Sequence, residues 1–126
     1  MNNLLLAITF ITLIFLSCSK SENDSPPTPD TTLYEGTWRG DLTPVSSGGI
    51  PTTWIMYVKG DGTVRQTHDN AHGPGTGSGS ITEEGMLKLR YDGGGLETGT
   101  FNAEFGFYSG VATHGSLMAE SFGTKD

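Results

Sequence analysis

The stretch "THDNAHG" places two imidazoles and a carboxylate within five residues, at His68, Asp69 and His72. Neutral imidazole nitrogens and a carboxylate oxygen are zinc-ligand types, and three of them would leave one position open. They fall in the glycine-bounded loop "DNAHGPGTG", which holds no fixed face, so no metal is expected there. "GPGTGSGS" at 73–80 has the glycine density of a phosphate loop. Such a loop needs a strand before it and a helix after it, so that amide donors and the helix dipole converge. No helical period follows, and no Lys stands beside the Ser. "RGD" at 39–41 is an adhesion tripeptide when it sits on an exposed loop, but here Trp38 and Leu42 flank it in a strand-like alternation. Hydrolysis needs two positioned carboxylates or a Ser–His–Asp set. Glu35, Glu97, Glu104 and Glu120 are expected mostly on outward strand positions, and His114 lies near Ser116 in a glycine-bearing turn. No catalytic residue, metal or cofactor is therefore expected, and the chain reads as a non-enzyme.

Aromatic residues are the remaining signal. Trp38, Trp54, Tyr91, Phe101 and Phe105 are the candidates for lining a ligand cavity or for filling a core. What must position them is a set of short strands. All 19 glycines lie in residues 33–126, where they punctuate the chain in "KGDGT", "EEGM", "YDGGGL", "YSGV" and "THGS". These are turn signals between runs rich in Thr, aromatic and aliphatic residues. No stretch sustains a helical period.

The alternation predicts strands over 34–42, 53–59, 63–68, 78–83, 86–92, 99–107, 111–114 and 117–122. In the first, Tyr34, Gly36, Trp38, Gly40 and Leu42 share one face. In the second, Trp54, Met56 and Val58 oppose Ile55 and Tyr57. Leu87, Leu89 and Tyr91 point inward in the fifth, and Phe101, Ala103, Phe105 and Phe107 in the sixth. Short turns pair successive strands as a meander, and closing the meander removes the sheet edges. The expected fold is all-β, a small antiparallel meander barrel of 7–8 strands whose interior is filled or holds one small ligand.

"YEGTWRG" adds a resemblance. A Gly-x-Trp on the first strand of a meander barrel resembles the calycins, the lipocalin-like and avidin-like proteins, in which the Trp closes one barrel end. Trp38 matches that position. "TTWIMYVKGDGTV" is similar to the apolar strand and hairpin that follow in avidin-like proteins. No match to their ligand-binding residues is found, so biotin is not implied.

The N-terminus carries a second resemblance. Residues 4–16, "LLLAITFITLIFL", form a 13-residue run without a charge, short for a spanning helix but suited to a secretory signal core. "LSC" follows, and it resembles a bacterial lipoprotein signal of the looser Bacteroidota type. The resemblance implies cleavage before Cys18 and a thioether-linked diacylglycerol on its sulfur. Two or three acyl chains hold a protein firmly where one does not. Lys20, Glu22 and Asp24 resemble the charged, mainly acidic stretch that sends such lipoproteins to the outer membrane and the cell surface.

These features divide the chain into a signal peptide (1–17), a lipidated Cys18 with a disordered Pro/Ser-rich tether (18–32) and a barrel domain (33–126). The net charge of −7 argues against nucleic acid and anionic surfaces as partners. Cys18 is the only cysteine, so an exported domain of this size depends on its core alone. The function expected is a lipid-anchored, non-enzymatic interaction or structural module of the envelope. The alternative is a calycin-like carrier of a small apolar ligand. The membrane, through the lipid, is the first partner; a protein partner, a homodimer or that ligand is the second. A filled core with an apolar outer stripe would favour the protein partner or the dimer.

Overall fold

The computed structural model describes residues 30–45, 50–70 and 73–126. Cys18 and its flanks lie outside the described residues, as does His72. A 3-10 turn, Thr32–Tyr34, leads into eight strands: β1 (Gly36–Pro44), β2 (Thr52–Val58), β3 (Thr63–Asn70), β4 (Gly73–Ile81), β5 (Met86–Tyr91), β6 (Leu96–Asn102), β7 (Phe107–His114) and β8 (Leu117–Lys125). Each strand pairs antiparallel with the next, and β8 pairs with β1 to close the barrel. Closure leaves no unpaired sheet edge.

Inward and outward residues alternate as a pleated strand requires. In β2, Trp54, Met56 and Val58 are buried while Thr53 and Tyr57 face solvent; in β5, Leu87 and Leu89 are buried. Large inward side chains are accommodated by inward glycines on neighbouring strands. Gly40 and Gly123 lie under the Trp54 ring, and Gly99 and Gly110 lie under Tyr108, with no room for a Cβ at any of the four. Glycine inside a strand here marks close approach of a side chain to the backbone.

One end of the barrel is sealed by the segment before β1. Trp38 is fully buried, donates its indole N–H to the Tyr34 carbonyl at 2.9 Å, and meets Phe101 edge-on at 4.7 Å. Tyr34 donates its hydroxyl to the Glu83 carbonyl at 3.0 Å. Thr31, 3% exposed, donates to the Gly60 carbonyl at 2.7 Å. The turn joining β2 to β3 forms beside this seal. Gly62 takes φ +86°, and the Asp61 carboxylate accepts the Thr63 amide at 2.9 Å.

Two strand assignments change. The sixth expected strand, 99–107, is broken by a turn after Asn102: the Asn102 side chain accepts the Phe105 amide at 3.1 Å, and Gly106 takes φ +61°. That turn resets the phase, so Phe105 is 76% exposed rather than inward, and Phe107 faces out. Phe105 is therefore neither core nor ligand-lining. The glycine-rich segment expected as a loop is strand from Gly73 onward, paired with β3 through Asp69↔Pro74 and His68↔Gly75. Its inward glycines serve packing: the Leu89 side chain covers Gly77, and His68 covers Gly75.

Candidate functional site

The half of the barrel away from the Trp38 seal has a different interior. β6 runs from Leu96, and the phase that turns Phe101 inward also turns Glu97 inward. Glu97 is completely buried, in contrast to the outward position expected for it. Three donors converge on its carboxylate. Tyr108 on β7 donates to Oε1 at 2.7 Å, Tyr91 on β5 donates to Oε2, and Gln66 Nε2 on β3 donates to Oε2 at 3.3 Å. Tyr91 and Tyr108 come from the two strands paired with β6, and Gln66 reaches the same carboxylate across the barrel interior from β3.

Aromatic rings surround this cluster. Trp54 meets Tyr108 edge-on at 5.5 Å, and His68 meets Tyr91 edge-on at 5.3 Å. Burial raises the Tyr91 and Tyr108 hydroxyls far above the ordinary tyrosine range, and the charge of Glu97 and the hydrogen bonds to it add to that shift. Burial also lowers the His68 pKa, against the opposing pull of Glu97 and Asp92. Four polar atoms around the cluster close no hydrogen bond: Trp54 Nε1, Gln66 Oε1, His68 Nδ1 and Ser121 Oγ. Ser121 does stand near enough to Tyr108 to lower its pKa slightly, without completing a bond of good geometry. An unpaired buried polar group is costly and calls for an explanation.

The set can hold a molecule by hydrogen bonds and charge. Its tyrosines keep their protons more firmly than free tyrosine, the reverse of what nucleophile activation requires.

No protein-family model matches the chain, and no curated protein does.

The expected site residues separate by position. Trp38 and Phe101 belong to the sealed half, whereas Trp54 and Tyr91 border the polar cluster. His68 points into the barrel and Asp69 lies exposed on the outside, so strand alternation divides the pair suggested by "THDNAHG". Arg39 and Asp41 of "RGD" face outward on β1, with Arg39 paired to Asp126 at 2.7 Å. An open depression of about 560 Å³ is lined by the outward residues Arg39, Asp41, Ile55 and Asp69 and also by Trp54 and His68; Glu97 is not among its lining residues.

Gln66, Glu97, Tyr108 and Ser121 were not anticipated as a group. For Glu97 the signal was present, since counting back by two from Phe101 reaches it on the inward phase.

The outer wall carries a second feature. Phe107, Val111, Met118 and Phe122 project outward from β7 and β8, all well exposed. Phe107 and Phe122 stack with centroids 6.4 Å apart, and the register sets Val111 diagonal to Phe122 and Met118 diagonal to Val111, with Glu120 opposite Val111.

Proposed function

We propose that this chain is a non-enzymatic, lipid-anchored barrel of the bacterial cell envelope that works through contacts of its outer wall. The observation that carries this is the β7–β8 stripe of Phe107, Val111, Met118 and Phe122 on a barrel whose own core is filled. Contiguous exposed apolar surface on a small acidic domain marks a contact site. The Trp38 seal supports the calycin-like resemblance, and the closely packed apolar half gives little support to a carrier of apolar molecules. Support for the anchor is the apolar run ending in "LSC" and the polar, proline-bearing tether after it. An outer-membrane, surface-exposed position is the matching proposal for location.

Two experiments test these halves separately. Cys18→Ala is expected to abolish lipid labelling and release the protein from membranes; fractionation like wild type would contradict the anchor. A photo-crosslinker at Phe122 is expected to yield one discrete adduct in cells, lost with Phe107→Ser, while one at Lys88 yields none. Equal adducts from both positions, or none from Phe122, would contradict the contact site. An adduct of twice the chain's own mass would identify the partner as a second copy.

A further inference from the structure

The polar half of the barrel remains unexplained by an outer-wall function. Glu97 sits fully buried with three hydrogen-bond donors, and the interior provides no cation to balance it. Arg39, Lys59, Arg65, Lys88, Arg90 and Lys125 are all exposed, which accounts for every Lys and Arg among the described residues. His68 is the one inward group able to take a positive charge, and its surroundings disfavour that form. A buried carboxylate without a counter-charge is costly to a fold.

Two of the four unpaired groups, Gln66 Oε1 and Ser121 Oγ, point the same way. Gln66 Oε1 is an acceptor without a donor, on a side chain 1% exposed. Its amide orientation is fixed, because turning it would set its oxygen against the carboxylate. Ser121 Oγ, fully buried, can accept as well as donate. The carboxylate itself can accept one bond beyond the three it has. Trp54, Tyr91 and Tyr108 contribute ring faces and edges around these acceptors. Anionic and neutral acceptors among aromatic rings form the environment that recognises an ammonium group.

The layer between this cluster and the far end of the barrel mixes small residues with the buried Leu42, which pairs with Thr52 and Ser121. Thr52, Ala112 and Ala119 face inward there, with Ala112 opposite Ala119 and next to Glu97 in the register. His68 and Tyr91 are the partly buried members of the cluster.

We propose that the interior of this barrel binds a small protonated amine, with Glu97 as its counter-ion and Gln66 and Ser121 as further acceptors. The chemistry is that of a primary ammonium on a short chain. Binding of this kind is independent of the β7–β8 stripe and of the lipid.

The test uses the full-length protein in detergent, titrated with ethylammonium chloride and followed through the indole N–H signal of Trp54, assigned with a Trp38→Phe variant. Ethanol and acetate serve as neutral and anionic counterparts of similar size. A saturable shift with ethylammonium alone is expected, with Glu97→Gln weakening it about tenfold or more. Ala119→Leu, which fills the Ala112–Ala119 layer and leaves the Glu97 bonds untouched, is expected to weaken it too. No saturable shift with any probe would overturn the site and leave buried water as the partner of the unpaired groups. An equal response to ethanol, or full affinity in a folded Glu97→Gln variant, would overturn the ammonium assignment.

Discussion

The two halves of the barrel share one set of strands and differ in what those strands turn inward. Around Trp38 the interior is Tyr34, Val58, Val64, Ile81, Leu87 and Phe101, and the polar groups there, the Trp38 indole and the Tyr34 hydroxyl, both find backbone partners. Around Glu97 the interior sets a carboxylate, Gln66, Ser121 and two tyrosines among Met56, Leu89 and Ala112, and four polar atoms stay unpaired. Each strand crosses both halves, so strand propensity cannot account for the contrast. The first half answers to folding, where apolar burial supplies the driving force. The second has features that folding alone would discard, because a partly satisfied polar network is worse for stability than an apolar one.

The largest expected effect lies in the sealed half. Trp38→Ala removes a fully buried ring and the seal it forms, and should cost about 3–5 kcal/mol in urea unfolding. A cost no larger than that of a surface change would erase the distinction between the halves.

Alkaline pH should act on the polar half alone. The folded-state pKa values of Tyr91 and Tyr108 lie above the unfolded value, so their contribution is intact below about pH 10 and is lost as pH rises further. With both tyrosines held neutral, stability should fall by up to about 2.7 kcal/mol per pH unit above that point. Tyr108→Phe should roughly halve the slope, and an unchanged slope would show that these hydroxyls do not titrate with unfolding. His68 acts at the other end of the scale. Its folded pKa is lowered, so its contribution is present above about pH 6.5 and fades as the solution becomes more acidic.

Gly40→Ala tests how tightly the polar half is packed. A methyl group there meets the Phe122 carbonyl and the Trp54 ring, and overpacking should cost about 1–3 kcal/mol. The smallest effect belongs to the outer wall: Phe107→Ser should change stability by no more than about 0.5 kcal/mol while removing the crosslink at Phe122. A large loss of stability would make Phe107 part of the fold rather than of a contact.

Much of the barrel was legible because strand alternation is a local signal. Trp54, Met56 and Val58 on one face, and Leu87, Leu89 and Tyr91 on another, follow directly from a period of two. The turn at Asn102–Gly106 was missed because Ala103, Phe105 and Phe107 continue the apolar alternation across it. Asn102 and Gly106 were the competing turn residues, and their chemistry prevailed. In sequence β4 reads partly as a loop because glycine density signals turns, whereas here the glycines leave room for His68 and Leu89. The Glu97 cluster draws on the neighbours β5, β6 and β7 and, across the interior, on β3, so it depends on pairing register and on the curl of the sheet. Sequence could place Glu97 on the inward phase; it could not show which hydroxyls would meet it.

The central claim is that the Glu97 network serves binding and costs stability. Its most direct test is the urea stability of one combined variant, Gln66→Leu, Tyr91→Phe, Glu97→Leu and Tyr108→Phe, beside wild type. The four changes remove the network's partners together and leave hydrocarbon in their place. The contrast between the halves predicts a folded barrel at least as stable as wild type, now blind to ethylammonium. A variant less stable by several kcal/mol, or unable to fold, would mean that the network holds the barrel together and that its polarity is structural.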